Sequence, residues 1–155
     1  MTQIRKNIFI DAPIEKVYAF ARDPERWNLF FTGLSAPETI RGKGEVGTTV
    51  KHNYNVAGMH FPVTTKVLID KPGPKTAQWK GQIEGPLDGN QEWTYTAKND
   101  GTDVVVMIDY TVPPKALGKF ADRLLIERMQ EKAIEHTLEN LKLFCEAEVA
   151  VPVTR

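Results

Sequence analysis

The sequence of 155 residues has little of several residue types on which common classes of protein depend. Cys145 is its one cysteine, so no internal disulfide can form, and we expect a reducing compartment such as the cytoplasm. Lys plus Arg equal Asp plus Glu at 20 each, so the chain lacks the basic excess that neutralises phosphates. We therefore expect no nucleic-acid partner.

Long hydrophobic runs are also missing. The longest, from Val104 to Ile108, is far shorter than the ~20 residues of a membrane-spanning helix. The segment from Met1 to Arg5 leads directly into a strand-like pattern and does not resemble a signal peptide. We expect no transmembrane segment, although transient membrane contact stays an alternative.

Residue patterns typical of metal sites and nucleophilic catalysis are scarce. His52, His60 and His136 share no metal-ligand spacing, so we expect no metal. No glycine-rich segment opens a helix as a phosphate loop. The single serine, Ser35, lies outside any nucleophile elbow. We assign no catalytic residue and no cofactor, and this scarcity favours a binding protein over an enzyme.

The residues that are present predict a sheet framed by helices. Ile4 to Asp11 alternate as a strand with Ile8 and Ile10 inward. Pro13, with Asp11 as N-cap, and Asp23-Pro24 each predict the start of a short helix. Turn signals then recur about every ten residues up to Pro113, which predicts six further strands in an antiparallel meander.

Two hairpin registers follow from tight turns. A turn at Asn99-Asp100 places Tyr95 opposite Val104, on one apolar face. The full face comprises Trp93, Tyr95, Val104, Val106, Ile108 and Tyr110. A turn at Val56-Ala57 would pair Tyr54 with Met59 and His52 with Phe61. It places His52 and Tyr54 inward and His60 outward.

The end of the chain predicts one long helix, from Lys115 to about Glu146. At 1.5 Å per residue this helix would be about 48 Å long, so it must overhang the sheet or break near Gly118. Gln130 lies in the middle of its apolar stripe, and Arg123 and Glu127 are spaced for an i,i+4 pair. The stripe comprises Phe120, Ile126, Ala133, Ile134, Thr137, Leu141 and Phe144.

These elements predict a single α+β domain over residues 1–149, followed by a frayed tail at 150–155. The domain has two layers, a curved antiparallel sheet of about seven strands and a long C-terminal helix across it. Such a sheet leaves a space under the helix. If side chains fill this space, it is part of the core. If they leave it open, it is a pocket.

The chain resembles the helix-grip superfamily, also called SRPBCC, which includes START-like lipid carriers, polyketide cyclases and the birch-pollen allergen group. The resemblance rests on the β-α-α-β6-α order and on three segments: residues 8–18 (IFIDAPIEKVY), 23–27 (DPERW) and 101–104 (GTDV). It covers about Ile4 to Cys145. It implies a cavity between sheet and C-terminal helix that takes hydrophobic small molecules, and it implies no cofactor.

Within such a cavity we expect a largely aromatic lining with a few polar groups. The candidate ligand-binding residues are His52, Tyr54, Phe61, Trp79, Trp93, Tyr95, Tyr110 and Gln130. A histidine can move a proton near neutral pH and a tyrosine can donate to a carbonyl oxygen. For the inward His52 and Tyr54 pair, the alternative is a purely structural hydrogen bond.

Three functions are consistent with these residues. The first is the binding or transport of a lipid, isoprenoid or polyketide-like molecule. The second is a cofactor-free cyclase or dehydratase in which His52, Tyr54 or Tyr95 moves protons. The third is an accessory protein that touches a membrane or a partner complex through Trp27, Phe30 and Phe31, which otherwise form a lid or local packing. The sequence leaves the oligomeric state open.

Overall fold

The computed structural model describes residues 2–111 and 123–150. The strands are β1 (Thr2–Ile10), β2 (Thr39–Arg41), β3 (Thr49–Val56), β4 (Met59–Lys71), β5 (Thr76–Glu84), β6 (Gly89–Lys98) and β7 (Gly101–Tyr110). The helices are α1 (Ile14–Ala21), α2 (Trp27–Phe30) and α3 (Arg123–Ala150).

The seven strands form one antiparallel sheet in the order β1-β7-β6-β5-β4-β3-β2. Strands β2 to β7 follow one another as a meander, and β1 closes the row beside β7. Helix α3 packs along β1 and also contacts α1 and α2. The predicted α+β helix-grip architecture is confirmed, and the space under α3 lies against the inner face of β3 to β7.

The β6–β7 hairpin has the predicted register, with Tyr95 opposite Val104 and Trp93 opposite Val106. Its two turn residues, Asn99 and Asp100, have φ of 49° and 66°. Positive φ at both positions gives a two-residue turn the twist that flanking strands need. The turn therefore fixes which side chains of β6 and β7 face inward.

The β3–β4 hairpin differs from the predicted register by two residues. The turn lies at Ala57-Gly58, with φ of 53° and 82°, and Tyr54 pairs with Phe61 instead of Met59. Gly58 adopts positive φ without a steric cost, and its N–H donates to the Asn55 side chain at 2.9 Å. A shift of two residues preserves the faces of a strand, so His52 and Tyr54 are buried and His60 is exposed, as predicted.

The start of α1 differs from the predicted cap. No side chain caps this helix, and its N-cap position is Pro13 in an extended conformation. Asp11 instead uses its backbone N–H, which donates to the Glu146 carboxylate of α3 at 2.8 Å. The prediction of an Asp11 N-cap is wrong because the chain turns at Ala12 before the helix begins.

Helix α3 continues to Ala150, past the predicted end at Glu146, since no proline or glycine interrupts that stretch. Its later buried side chains are Ile134, Thr137, Leu138, Leu141 and Cys145. Phe144, predicted in the apolar stripe, is 41% exposed and stacks on Phe20 at the edge, with ring centroids 5.7 Å apart. The predicted positions from Lys115 to Phe120, the break near Gly118 and the tail at 151–155 lie outside the described residues.

A half-buried polar clamp, formed by Tyr18, Arg22 and Asp70, holds α1 on the sheet. Asp70 of β4 accepts hydrogen bonds from Tyr18 at 2.6 Å and from the Arg22 guanidinium at 3.0 and 2.8 Å. Burial alone would raise the pKa of Asp70, but these donors outweigh it and hold the pKa below its ordinary value. The clamp fixes the helix that carries Ala21 over the inner face of the sheet.

Candidate functional site

Two cavities lie between the inner face of the sheet and the helices. The first is lined by Ala21, Trp27, Phe30, Phe31, Leu34, His52, Tyr54, Val63, Thr65, Trp79, Ile83, Gln91, Trp93 and Tyr95. The second is lined by Ile4, Phe31, Tyr54, Val56, Ile83, Leu87, Asp88, Gln91, Ile108, Tyr110, Gln130 and Ile134. Each has a volume of about 30 Å³, which is room for one or two water molecules.

A shared wall separates the two cavities. Four residues line both of them: Phe31, Tyr54, Ile83 and Gln91. Phe31 follows α2, where α3 holds the backbone on either side of it: Asn140 donates to the Phe30 carbonyl at 3.2 Å, and the Thr32 N–H donates to Thr137 at 3.0 Å. Displacement of the wall would join the cavities into one elongated space.

His52 supplies a neutral imidazole to the first cavity. Its side chain is 3% exposed, and this burial lowers its pKa to about 4. Nε2 lies 2.7 Å from the Thr65 hydroxyl, while no described residue hydrogen-bonds to Nδ1. At neutral pH His52 therefore offers one ring nitrogen, as donor or acceptor according to its tautomer.

Tyr54 and Gln130 link the sheet to α3 at the shared wall. The Tyr54 hydroxyl donates to Gln130 Oε1 over 3.4 Å, which is long for an O–H···O bond. Burial, with a smaller contribution from Tyr110, raises the pKa of Tyr54, so its hydroxyl stays protonated. The pair gives the buried Gln130 amide one partner across the cavity.

Gln91 is a further polar residue of the wall. Its Oε1 accepts a hydrogen bond from Trp93 Nε1 at 2.8 Å, so the Trp93 indole is already satisfied inside the protein. The buried Trp93 ring also contacts Phe30 and Phe31, with centroids 6.4 Å away in each case. Gln91 thereby fixes the orientation of one aromatic wall.

Two other aromatic wall residues have buried polar atoms without a partner among the described residues. They are Trp79 Nε1, in the wall of the first cavity, and the Tyr110 hydroxyl, in the wall of the second. Burial and the nearby carboxylates Glu127 and Glu131 raise the pKa of Tyr110 to about 12. Both groups are hydrogen-bond donors at neutral pH.

The structure brings seven of the eight predicted site residues to these cavities. His52, Tyr54, Trp79, Trp93 and Tyr95 line the first; Tyr54, Tyr110 and Gln130 line the second. Phe61 is buried but lines neither cavity. The predicted pair of Arg123 and Glu127 is present, with Nε to Oε1 at 3.3 Å.

Sequence reasoning missed Thr65 and Gln91 as site residues. Gln91 alternates with Trp93 and Tyr95 along β6, and Thr65 alternates with Val63 and Val67 along β4. In both strands the period of two places a polar side chain on the apolar face. That pattern could have identified Thr65 and Gln91 from the sequence.

Trp27, Phe30 and Phe31 do not form a surface patch. All three are buried and line the first cavity, and Trp27 Nε1 donates to the Ala21 carbonyl at 3.0 Å. Their burial agrees with the interpretation as local packing, and these three residues present no exposed patch to a membrane or a partner. Within residues 2–111 and 123–150, no helix has the length and apolar composition needed to cross a bilayer.

In the described part of the chain, no group of three or more His, Cys, Asp or Glu side chains is arranged to hold a metal ion. The polar groups of the two cavities are imidazole, phenol, hydroxyl, amide and indole, with Asp88 as the one carboxylate. This arrangement can bind an apolar molecule and hydrogen-bond to its oxygen atoms.

The family model for polyketide cyclase/dehydrase and lipid transport proteins matches residues 1–146. The chain therefore belongs to this family, whose members share a ligand-binding SRPBCC fold. A search of curated proteins finds no match.

Solved structures show the same fold. TTHA0849 of Thermus thermophilus is 19% identical, with a TM-score of 0.77 over 97% of this chain and 100% of the other. The ZhuI aromatase/cyclase from a Streptomyces species is 18% identical, with a TM-score of 0.75 over 97% and 96%. Ara h 8.0201 is 12% identical, with a TM-score of 0.65 over 94% and 98%.

Proposed function

We propose that the protein binds and carries a hydrophobic small molecule, of lipid, isoprenoid or polyketide-like chemistry, in the space formed by its two cavities. The observation that carries this proposal is the shared wall. Four side chains separate two cavities that are lined by buried residues of the hydrophobic core, several of them aromatic. Affinity would come from apolar burial, at ~25 cal/mol per Å² removed from water.

Ligand entry requires the wall to move, since each cavity holds only about 30 Å³. The long Tyr54–Gln130 hydrogen bond is a weak point of that wall. Rotation of the Tyr54 and Phe31 side chains would join the cavities without breaking a strand. His52, Tyr54 and Gln130 would then orient the polar groups of the ligand.

The family description, which covers polyketide cyclases, dehydrases and lipid transport, supports this class of ligand. The chain has a single cysteine, the buried Cys145, and therefore no internal disulfide, which supports the cytoplasm as the place of action.

Titration with Nile red, a neutral apolar dye that fluoresces on leaving water, tests the proposal. Val63→Phe adds a ring to the first cavity, while Val46→Phe adds the same ring at a position 59% exposed. We expect saturable binding by the wild type and Val46→Phe and at least tenfold weaker binding by Val63→Phe. Circular dichroism checks that both variants fold. Equal binding by all three would refute a site in the cavity.

A cofactor-free cyclase or dehydratase is the second candidate function. The observation that favours it is His52, a neutral imidazole fixed through Nε2 by Thr65, with Nδ1 left for a substrate. A neutral imidazole can accept a proton next to a carbonyl, and burial would hold a flexible substrate in a folded shape. The similarity in fold to an aromatase/cyclase is consistent with this chemistry.

Turnover of poly-ketone substrates by His52→Ala distinguishes the two candidates. An enzyme that uses His52 would lose roughly 10²–10⁴-fold in kcat and keep its affinity for the product. A carrier would show no turnover in either protein. An unchanged rate in the variant would remove His52 from a catalytic role.

A further inference from the structure

The two buried donors without partners belong to residues that line the two cavities. Among the described residues, Trp79 Nε1 and the Tyr110 hydroxyl are the side-chain polar atoms that are fully shielded from solvent and lack a hydrogen bond. One belongs to the wall of the first cavity and the other to the wall of the second. Buried polar groups in native proteins are almost always partnered, and an unpartnered one costs stability. This coincidence indicates a partner with one oxygen atom for each donor.

The sheet register sets the separation of the two residues that carry these donors. Trp79 pairs with Trp93, and Trp93 pairs with Val106. Tyr110 lies four residues further along β7 from Val106. Two strand spacings across and four residues along place the two Cα atoms roughly 16 Å apart on a flat sheet. A molecule that reaches both donors is therefore elongated, and its middle replaces the shared wall.

The lining of the cavities disfavours an anion. None of the described residues that line the first cavity has a charged side chain. The second cavity has one, the carboxylate of Asp88, which is exposed. Outside the lining, Glu127 and Glu131 of α3 act on Tyr110, but each is paired with a cation, Arg123 and Lys6 respectively. A carboxylate in this space would lose its hydration and meet no cation in the lining.

We propose that the site selects elongated, uncharged molecules that carry a carbonyl or hydroxyl oxygen toward each end, and that it discriminates against fatty-acid carboxylates. One oxygen accepts a hydrogen bond from Trp79 Nε1 and the other from the Tyr110 hydroxyl. This inference rests on the proposed function and adds the chemical class of the ligand.

Isothermal titration with three matched twelve-carbon chains tests the inference. The first chain carries a ketone one carbon from each end, the second carries one ketone, and the third is the carboxylate dodecanoate, all at pH 7.5. We expect the diketone to bind roughly fivefold more tightly than the monoketone, the effect of one additional hydrogen bond. Dodecanoate should bind at least tenfold more weakly than the diketone.

Two variants with matched controls assign the donors. Tyr110→Phe removes an unpartnered hydroxyl, so the fold is retained, and the preference for the diketone over the monoketone should disappear. Its control, Tyr18→Phe, removes the hydroxyl of a tyrosine that lines neither cavity and already has partners in Asp70 and Gln78, and it should keep the preference. Trp79→Phe should weaken diketone binding more than Trp93→Phe, because the Trp93 indole already donates to Gln91.

The outcomes distinguish failure of this inference from failure of the proposed function. Equal affinity for the three chains, or preference for dodecanoate, would overturn the inference and leave the binding function standing. A diketone preference that survives Tyr110→Phe would also overturn it. Binding of none of the chains, together with no Nile red binding, would refute the proposed function itself.

Discussion

The buried imidazole of His52 should make the protein lose stability in mild acid. Its pKa falls from 6.5 to about 4 in the folded state because burial disfavours the charged form. The unfolded chain therefore binds a proton between these values that the folded chain does not, and stability rises with pH across that window. As pH falls below 6.5, protonation favours the unfolded state.

The magnitude follows from the two pKa values. At pH 5.0 an unfolded histidine with a pKa of 6.5 is almost fully protonated, whereas the folded imidazole is about one-tenth protonated. The difference corresponds to about 2 kcal/mol of lost stability relative to pH 7.5. Asp70, whose pKa is lowered, loses its contribution only at more acidic pH, so this interval isolates His52.

Urea unfolding at pH 7.5 and pH 5.0 measures the effect. We expect the wild type to lose about 2 kcal/mol more than His52→Gln over this interval, since glutamine fills much of the same space without titrating. His60→Gln, at an exposed position of β4, should behave as the wild type. Equal losses for the wild type and His52→Gln would refute the reasoning that His52 is buried and neutral.

Other predictions concern the clamp, the Trp79 wall and the cysteine. Asp70→Asn should lower the free energy of unfolding by about 2 kcal/mol because it weakens charge-assisted hydrogen bonds. The control Asp103→Asn, in an exposed pair with Lys98 at 3.8 Å, should change the free energy of unfolding by less than ~1 kcal/mol. Equal losses in urea unfolding would contradict a special role for the clamp. Gly81→Ala would place a Cβ 2.4 Å from the Trp79 ring, so it should shift Trp79 fluorescence and weaken Nile red binding. An unchanged Nile red titration would show that the Trp79 ring moves away freely. The Cys145 thiol, buried and with its pKa raised to about 12, should react with a thiol reagent only on unfolding; rapid labelling of the folded protein would contradict its burial.

The sequence predicted most of the sheet because alternation and turn residues are local signals. The β6–β7 register followed from Asn99 and Asp100 alone. In the β3–β4 hairpin the faces were right although the register was shifted by two residues, since strand period is two. The predictions of an Asp11 N-cap and of Phe144 in the apolar stripe of α3 were wrong because each position depends on tertiary packing.

The site was predicted in part for the same reason. An inward histidine and tyrosine, an odd glutamine on an apolar helix and the aromatic face can be identified from periodicity. The division into two cavities cannot be predicted in this way, because it depends on how four segments distant in sequence bring Phe31, Tyr54, Ile83 and Gln91 together. The orphan donors of Trp79 and Tyr110 likewise require side-chain packing, since Trp93 in the same sheet has a partner.

Native mass spectrometry of freshly purified protein, with the wild type and Val63→Phe prepared side by side, shows whether the cavities hold a ligand. We expect a discrete added mass on the wild type, identified after denaturation and extraction as an uncharged lipophilic molecule, and little or none on Val63→Phe. Bare protein in both samples, with no complex on addition of the twelve-carbon diketone, would contradict a ligand-binding cavity.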